Sequence, residues 1–207
     1  RLWQAIVSQL QPGEKLPGGK PKPEVIWREA QDALTTLASQ WQERASYLQD
    51  AKPGQEQAPP VMIIVADNTQ IAELFYRNIS GEQAMEIVEA HDDAESTDDE
   101  EGTASRKKKP RTRTVYGTGQ LFPELFSNRE GFRPTLRIDS RLLAEAESDD
   151  AKTSRKEAAQ ALRQIIDTVG KMGQPGEQVR CVVSVQMLTE GWDANNVTQI
   201  LGLRAFL

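Results

Sequence analysis

Apolar positions change period several times along this 207-residue chain, and each change predicts an element. From Glu24 to about Asp50, Ile26, Ala30, Leu34, Leu37, Trp41, Ala45 and Leu48 recur three and four residues apart. That spacing draws one apolar stripe along a helix. One stripe cannot hold a helix in water by itself, so the helix must lie on an apolar surface. Lys52-Pro53-Gly54 stops it, and Pro59-Pro60 closes a linker. The stretch 11–23 ahead of the helix holds four prolines and three glycines and is expected to lack regular structure.

At Val61 the pattern becomes a short continuous apolar run, VMIIVA (61–66), as in a strand buried on both faces. Asp67-Asn68-Thr69 follows as a helix-capping cluster, then a helix with Ile71, Leu74, Phe75 and Ile79 on one face and Gly81 at its end. TLRI (135–138) reads as a second strand with Asp139-Ser140 as its polar exit. Ser154-Arg155-Lys156-Glu157 fits a capping box opening a helix with Ala158, Leu162, Ile165 and Val169 on one side, and Gly170 stands where a C-terminal cap belongs. VRCVVSV (179–185) is the strongest strand of the chain, and VTQILGL (197–203) is another. Strands without polar alternation, interleaved with helices, predict an α/β domain with a mostly parallel sheet.

Composition refines this picture at one place. Hydrophobic residues make up 38% of the chain, below the usual apolar share of roughly 45–50%, so some segment must lie outside a core. Residues 92–101 (DDAESTDDEE) carry seven acids and no base; 106–113 (RKKKPRTR) carry six bases and no acid. Neither block can bury enough apolar surface to offset its ordering entropy, so 92–113 is expected to be a flexible surface insertion. The segment 114–134, with Leu121, Phe122, Leu125 and Phe126, is expected to pack back irregularly on the body. The net charge of −6 disfavours a general polyanion sponge; the basic run 106–113 could lend local electrostatic affinity for DNA, which its acidic neighbour would oppose.

The chemistry-bearing residues are few. One cysteine and one histidine exclude a disulfide framework and any zinc cluster built on those side chains. Cys181 sits mid-strand as a core thiol, and His91 beside two aspartates reads as solvated. No P-loop is present: the nearest match, around Gly13 to Pro21, has its lysine one place late, a proline for the hydroxyl, and no strand before it. No acidic pair follows a strand, and the sequons at Asn78 and Asn196 come without any sign of secretion. Asn68 and Thr69 are explained by helix capping, and equally by phosphate contact at a helix N-terminus. No apolar run approaches membrane-spanning length, and no leader pattern opens the chain.

The informative run is SVQMLTEGWD (184–193), at the carboxyl end of a buried strand, where open parallel sheets place their ligands. In its setting, VRCVVSVQMLTEGWDANNVTQILGLRAF (179–206), it resembles the motif V region of superfamily 2 helicases and translocases, most of all the Res subunits of type III restriction endonucleases. PPVMIIVADNTQIAELFYRNISG (59–81) is similar to the motif IV strand and helix of that family, and PTLRIDS (134–140) and IDTVGKMGQPGE (166–177) resemble its connecting segments. The resemblance implies the second of two RecA-like lobes, residues 61–207, behind a helical connector and linker (1–60). It implies that Ser184, Gln186, Thr189, Asn68 and Thr69 face the DNA backbone. Glu190, Gly191 and Asp193 would then couple that contact to an ATP cleft. Trp192 is open between base stacking and a core anchor, and Arg204 reads as a surface arginine at a strand end.

By the same resemblance the intact protein uses ATP and Mg²⁺, acts on double-stranded DNA, and pairs this lobe with a first RecA-like lobe of the same chain. A modification methyltransferase subunit and a prokaryotic cytoplasm also belong to the family's pattern. The chain opens at Arg1 and closes at Leu207, before the family's arginine-finger motif, so it is expected to be a fragment inactive on its own. Two other readings stay open: a non-catalytic α/β module that binds DNA or a partner, and a repair-type helicase lobe without nuclease.

Overall fold

The computed structural model describes residues 2–87, 111–138, 153–185 and 194–204. Its centre is a four-stranded, wholly parallel sheet. Strand β1 (Val61–Ala66) lies between β5 (Cys181–Ser184) and β6 (Val197–Leu203), and β4 (Thr135–Ile138) flanks β5, giving the order β4-β5-β1-β6. A separate antiparallel ribbon pairs β2 (Glu82–Ile87) with β3 (Arg111–Tyr116). The helices are α1 (Leu2–Gln9), α2 (Pro23–Ala51), α3 (Thr69–Ser80), the single turn α4 (Pro123–Phe126) and α5 (Thr153–Asp167).

The continuous apolar run of β1 is explained by its position. Met62, Ile64 and Ala66 point to one face, where α1, α2 and α3 supply Ile6, Leu34, Trp41 and Phe75. Val61, Ile63 and Val65 point to the other, where Ile166 and Val169 cover them. A strand with helices on both sides has no solvent face, so every position takes a hydrophobe. Cys181 and Val183 of β5 join the first face and Val182 the second. The architecture is α/β with a parallel sheet flanked by helices, the class expected.

Helix α2 runs for 29 residues, with Pro23 in its first turn, where the missing N–H costs nothing. Its stripe of Ile26, Ala30, Leu34, Ala38 and Trp41 is buried against α3 and the sheet. Burial of side chains such as Leu34 or Ile26 contributes about 1.5–3 kcal/mol each. Trp41 turns edge-on to Phe126 and donates its indole N–H to Pro60 O at 2.6 Å, tying the helix to the chain just ahead of β1.

Helix α3 opens with Asn68, whose Oδ1 accepts from Ile71 N at 3.0 Å, and closes at Gly81, which adopts φ 71° and donates to Arg77 O. Behind it the chain is held at close quarters. A Cβ on Gly119 would stand 2.0 Å from Ile79 O, and one on Gly81 2.3 Å from Gly117 O. Only glycine permits that approach, which brings the 117–128 segment along the end of α3.

Asn128, 1% exposed, organises the edge of the sheet. Thr135 lies on edge strand β4 with its N–H and C=O turned away from β5. Asn128 Oδ1 accepts from Thr135 N at 3.0 Å, and Asn128 Nδ2 donates to Thr135 O at 2.9 Å. One side-chain amide thus stands where the next strand's peptide group would be. The same Nδ2 reaches Glu82 at the base of the ribbon and Tyr76 of α3. Arg133 pairs with Glu82 and donates to Tyr76 Oη, completing a junction between ribbon, helix and sheet.

Four sequence expectations change. The surface insertion expected over 92–113 overlaps β3: Arg111–Arg113 belong to that strand and pair with Met85, Glu86 and Ile87, and residues 92–110 lie outside the described residues. Backbone pairing needs no apolar content, which is why the charge pattern hid this strand. The 114–134 segment is less irregular than expected: it contains the end of β3, helix α4 and a bridge between Arg129 and Phe132. The 11–23 stretch forms a 3-10 turn at Pro12–Glu14 and a bridge from Lys15 to Pro21. Helix α1 and strand β2 had no sequence assignment. The capping-box side chains Ser154, Arg155 and Lys156 lie outside the described side chains, and Gly170, at φ 81°, ends the turn after α5 rather than the helix itself.

Candidate functional site at the carboxyl ends of the strands

All four strands of the sheet point the same way, so their carboxyl ends share one rim. β1 delivers Asp67 and the cap of α3 to that rim, and β5, paired to it through Val65 and Ser184, delivers Ser184. Ser184 is buried, and the alternation of β5 turns it toward the α5 face. Asn68 spends its carbonyl oxygen on the cap and sets its Nδ2 toward Asp67 at 3.5 Å. Thr69 is exposed. The structure therefore brings Asn68, Thr69 and Ser184 to the same edge of two neighbouring strands. Gln186, Thr189, Glu190, Gly191 and Asp193, and Trp192 with them, lie outside the described residues.

Beside Thr69 a cleft of about 580 Å³ opens between the start of α2, the outer face of α3 and β4. Thr69, Gln70, Glu73 and Arg77 line it from α3 at helical spacing, Lys22 and Glu24 from the N-cap and first turn of α2, and Arg137 from β4. Three cations face two carboxylates. Arg137 is ion-paired to Glu73 and lies 5.8 Å over the ring of Tyr76, so both ends of its charge are engaged. Arg77 makes no ion pair with a described residue. Such an arrangement can hold an anionic ligand by position and charge, with the dipole of α3 assisting at Thr69. Arg137 interrupts the apolar TLRI run, and Glu73 and Arg77 repeat on α3 at four-residue spacing; those were the only signals of this cleft in the sequence, and reading them required knowing that β4 lies beside α3.

Two buried groups near the site's supports are held uncharged. Burial, reinforced by the Glu82 carboxylate, pushes the Tyr76 phenol up to about 12. Burial alone pushes the Cys181 thiol up to about 12, as a core thiol behaves.

No set of three His, Cys, Asp or Glu among the described residues can hold a metal ion, and the chain has no P-loop to cradle phosphates. Among them, too, no helix is long and apolar enough to cross a membrane. Comparison with protein-family models, with curated proteins and with solved structures finds no match to this chain.

Proposed function

We propose that the chain is the second RecA-like motor lobe of an ATP-dependent DNA translocase or helicase of the type III restriction (Res) kind. One observation carries the proposal. The run beginning SVQMLTEGWD leaves the carboxyl end of β5, the hydrogen-bonded neighbour of β1, whose own end bears the capped helix and cationic cleft. A motor needs DNA-facing and nucleotide-facing residues on one rigid sheet, so that a change at one is felt at the other. Here Asn68, Thr69 and the cleft would meet the phosphate backbone without reading bases. Glu190, Gly191 and Asp193 would link that contact to ATP and Mg²⁺ held chiefly by a partner lobe. No hydrolytic step is assigned to the residues of this chain.

The test joins this chain to the reading frame that precedes it in its genome and measures ATP turnover with and without duplex DNA. DNA should stimulate turnover, Asp193→Ala should abolish the stimulation with unchanged melting, and the 207-residue chain alone should show no turnover. Turnover by the isolated chain, or full stimulation in Asp193→Ala, would refute the reading.

A further inference from the structure

The opposite pole of the sheet, at the amino ends of the strands, holds a second charged feature that the motor reading does not use. Arg180 immediately precedes β5. Its guanidinium lies 5.5 Å from the Trp41 ring and 5.2 Å from the Phe132 ring, half-buried between them. Only Nη1 meets an acceptor, Leu125 O at 3.0 Å; Nε is buried without one among the described residues. Arg129 lies 4.5 Å over the same Phe132 ring, fixed there by the paired backbone bonds between Arg129 and Phe132.

Neither arginine has a carboxylate partner among the described residues. Arg28, Arg133 and Arg137 are each ion-paired within the chain, whereas Arg77 of the cleft shares the lack of an ion pair with a described residue but has no second cation against the same ring. Two cations are thus brought together on one aromatic ring, and burial and the neighbouring Arg129 both depress the Arg180 pKa. Placing a guanidinium in partial burial beside another cation is unfavourable unless an anion completes the arrangement. Buried Nε is closed to a docked group, so the donors left for a ligand are Nη2 of Arg180 and the exposed guanidinium of Arg129. A two-oxygen anion can offer one oxygen to each of two such cations. Phe132, half-buried with two Arg against it, has the composition of an interface anchor, while buried Trp41 backs it from the core.

We propose that Arg129 and Arg180, both set against Phe132, form a carboxylate-binding site that receives an Asp or Glu side chain from a protein surface docked at the amino ends of the strands. The site is distinct from the cleft at the carboxyl ends and does not depend on the motor reading.

The experiment titrates the 207-residue chain with acetyl-Glu-Glu-Glu-amide by calorimetry at constant ionic strength. Inorganic phosphate and sodium chloride are run in parallel, with Arg129→Gln and Arg180→Met as variants. Arg129 is exposed and its substitution leaves the core intact, so that variant decides the matter even where Arg180→Met fails to fold. Saturable binding of the peptide, weakened about tenfold or more in Arg129→Gln, the loss of roughly one charged contact, is the expected result. Non-saturable heats, or binding unchanged in Arg129→Gln, would overturn the site. Saturation by phosphate but not by the peptide would overturn the assignment to a carboxylate.

Discussion

Asn128→Ala is the substitution with the most to say about how this fold closes its sheet. The side chain supplies both halves of a missing peptide group to Thr135, accepting at 3.0 Å and donating at 2.9 Å. Thr135 is fully buried, so water cannot readily take over either contact. The buried Thr135 N–H and C=O are each left without a partner, at a desolvation cost of about 1–3 kcal/mol apiece. Partial repacking lowers that total and the loss of the donations to Glu82 at 2.9 Å and Tyr76 at 3.2 Å raises it, so about 3–5 kcal/mol is expected. The Asn128 backbone bond to Ser80 O survives the change, which confines the effect to the side chain. Urea unfolding followed by far-UV circular dichroism measures it as a shift of the midpoint at constant slope. A loss below about 1 kcal/mol would refute the edge-mimic account, because it would mean that Thr135 needs no partner there.

Glycine positions give a paired contrast. Gly119→Ala sets a Cβ against Ile79 O at 2.0 Å and should lower the melting temperature severely, whereas Gly131→Ala, at φ 75° in open space, should cost only about 1 kcal/mol. Equal effects in thermal melts would contradict the packing. For Tyr76, the raised folded-state value means its stabilising contribution is complete below about pH 10 and drains away as pH rises toward 12, by about 2–3 kcal/mol in all. Absorbance titration should show one of the three tyrosines ionising near 12, and Tyr76→Phe should flatten that arm of the stability profile. The Cys181 thiol should resist a disulfide reagent at pH 8 in the folded chain and react once it is unfolded; prompt native reaction would show it is not a core thiol.

How much of this was legible beforehand follows from where each signal lives. Periodicity located α2, β1, α3, β4 and β6 closely, because each has enough apolar residues for its period to show. The β2–β3 ribbon was hidden, since Gln83, Ala84, Arg113 and Thr114 are all exposed and alternate nothing. Helix α1 was too short to stand out. For the candidate site, Asn68 and Thr69 were visible as a cap after a strand, and the cap is what the structure shows of Asn68. The cleft was not, because Lys22, Glu73, Arg77 and Arg137 come from three elements far apart in the chain.

The chain's own order of residues determined which segments would be strands buried on both faces and which helices would need a surface, because those follow from local period and from the cost of leaving apolar area in water. Only the tertiary structure decided what the polar residues do. Asn196 anchors the entry of β1 through Pro59 O and Val61 N, Asn128 replaces a strand, and Arg180 lies between two rings beside a second cation. A hydrogen bond or an ion pair is a property of two groups and the distance between them, and sequence carries the groups without the distance.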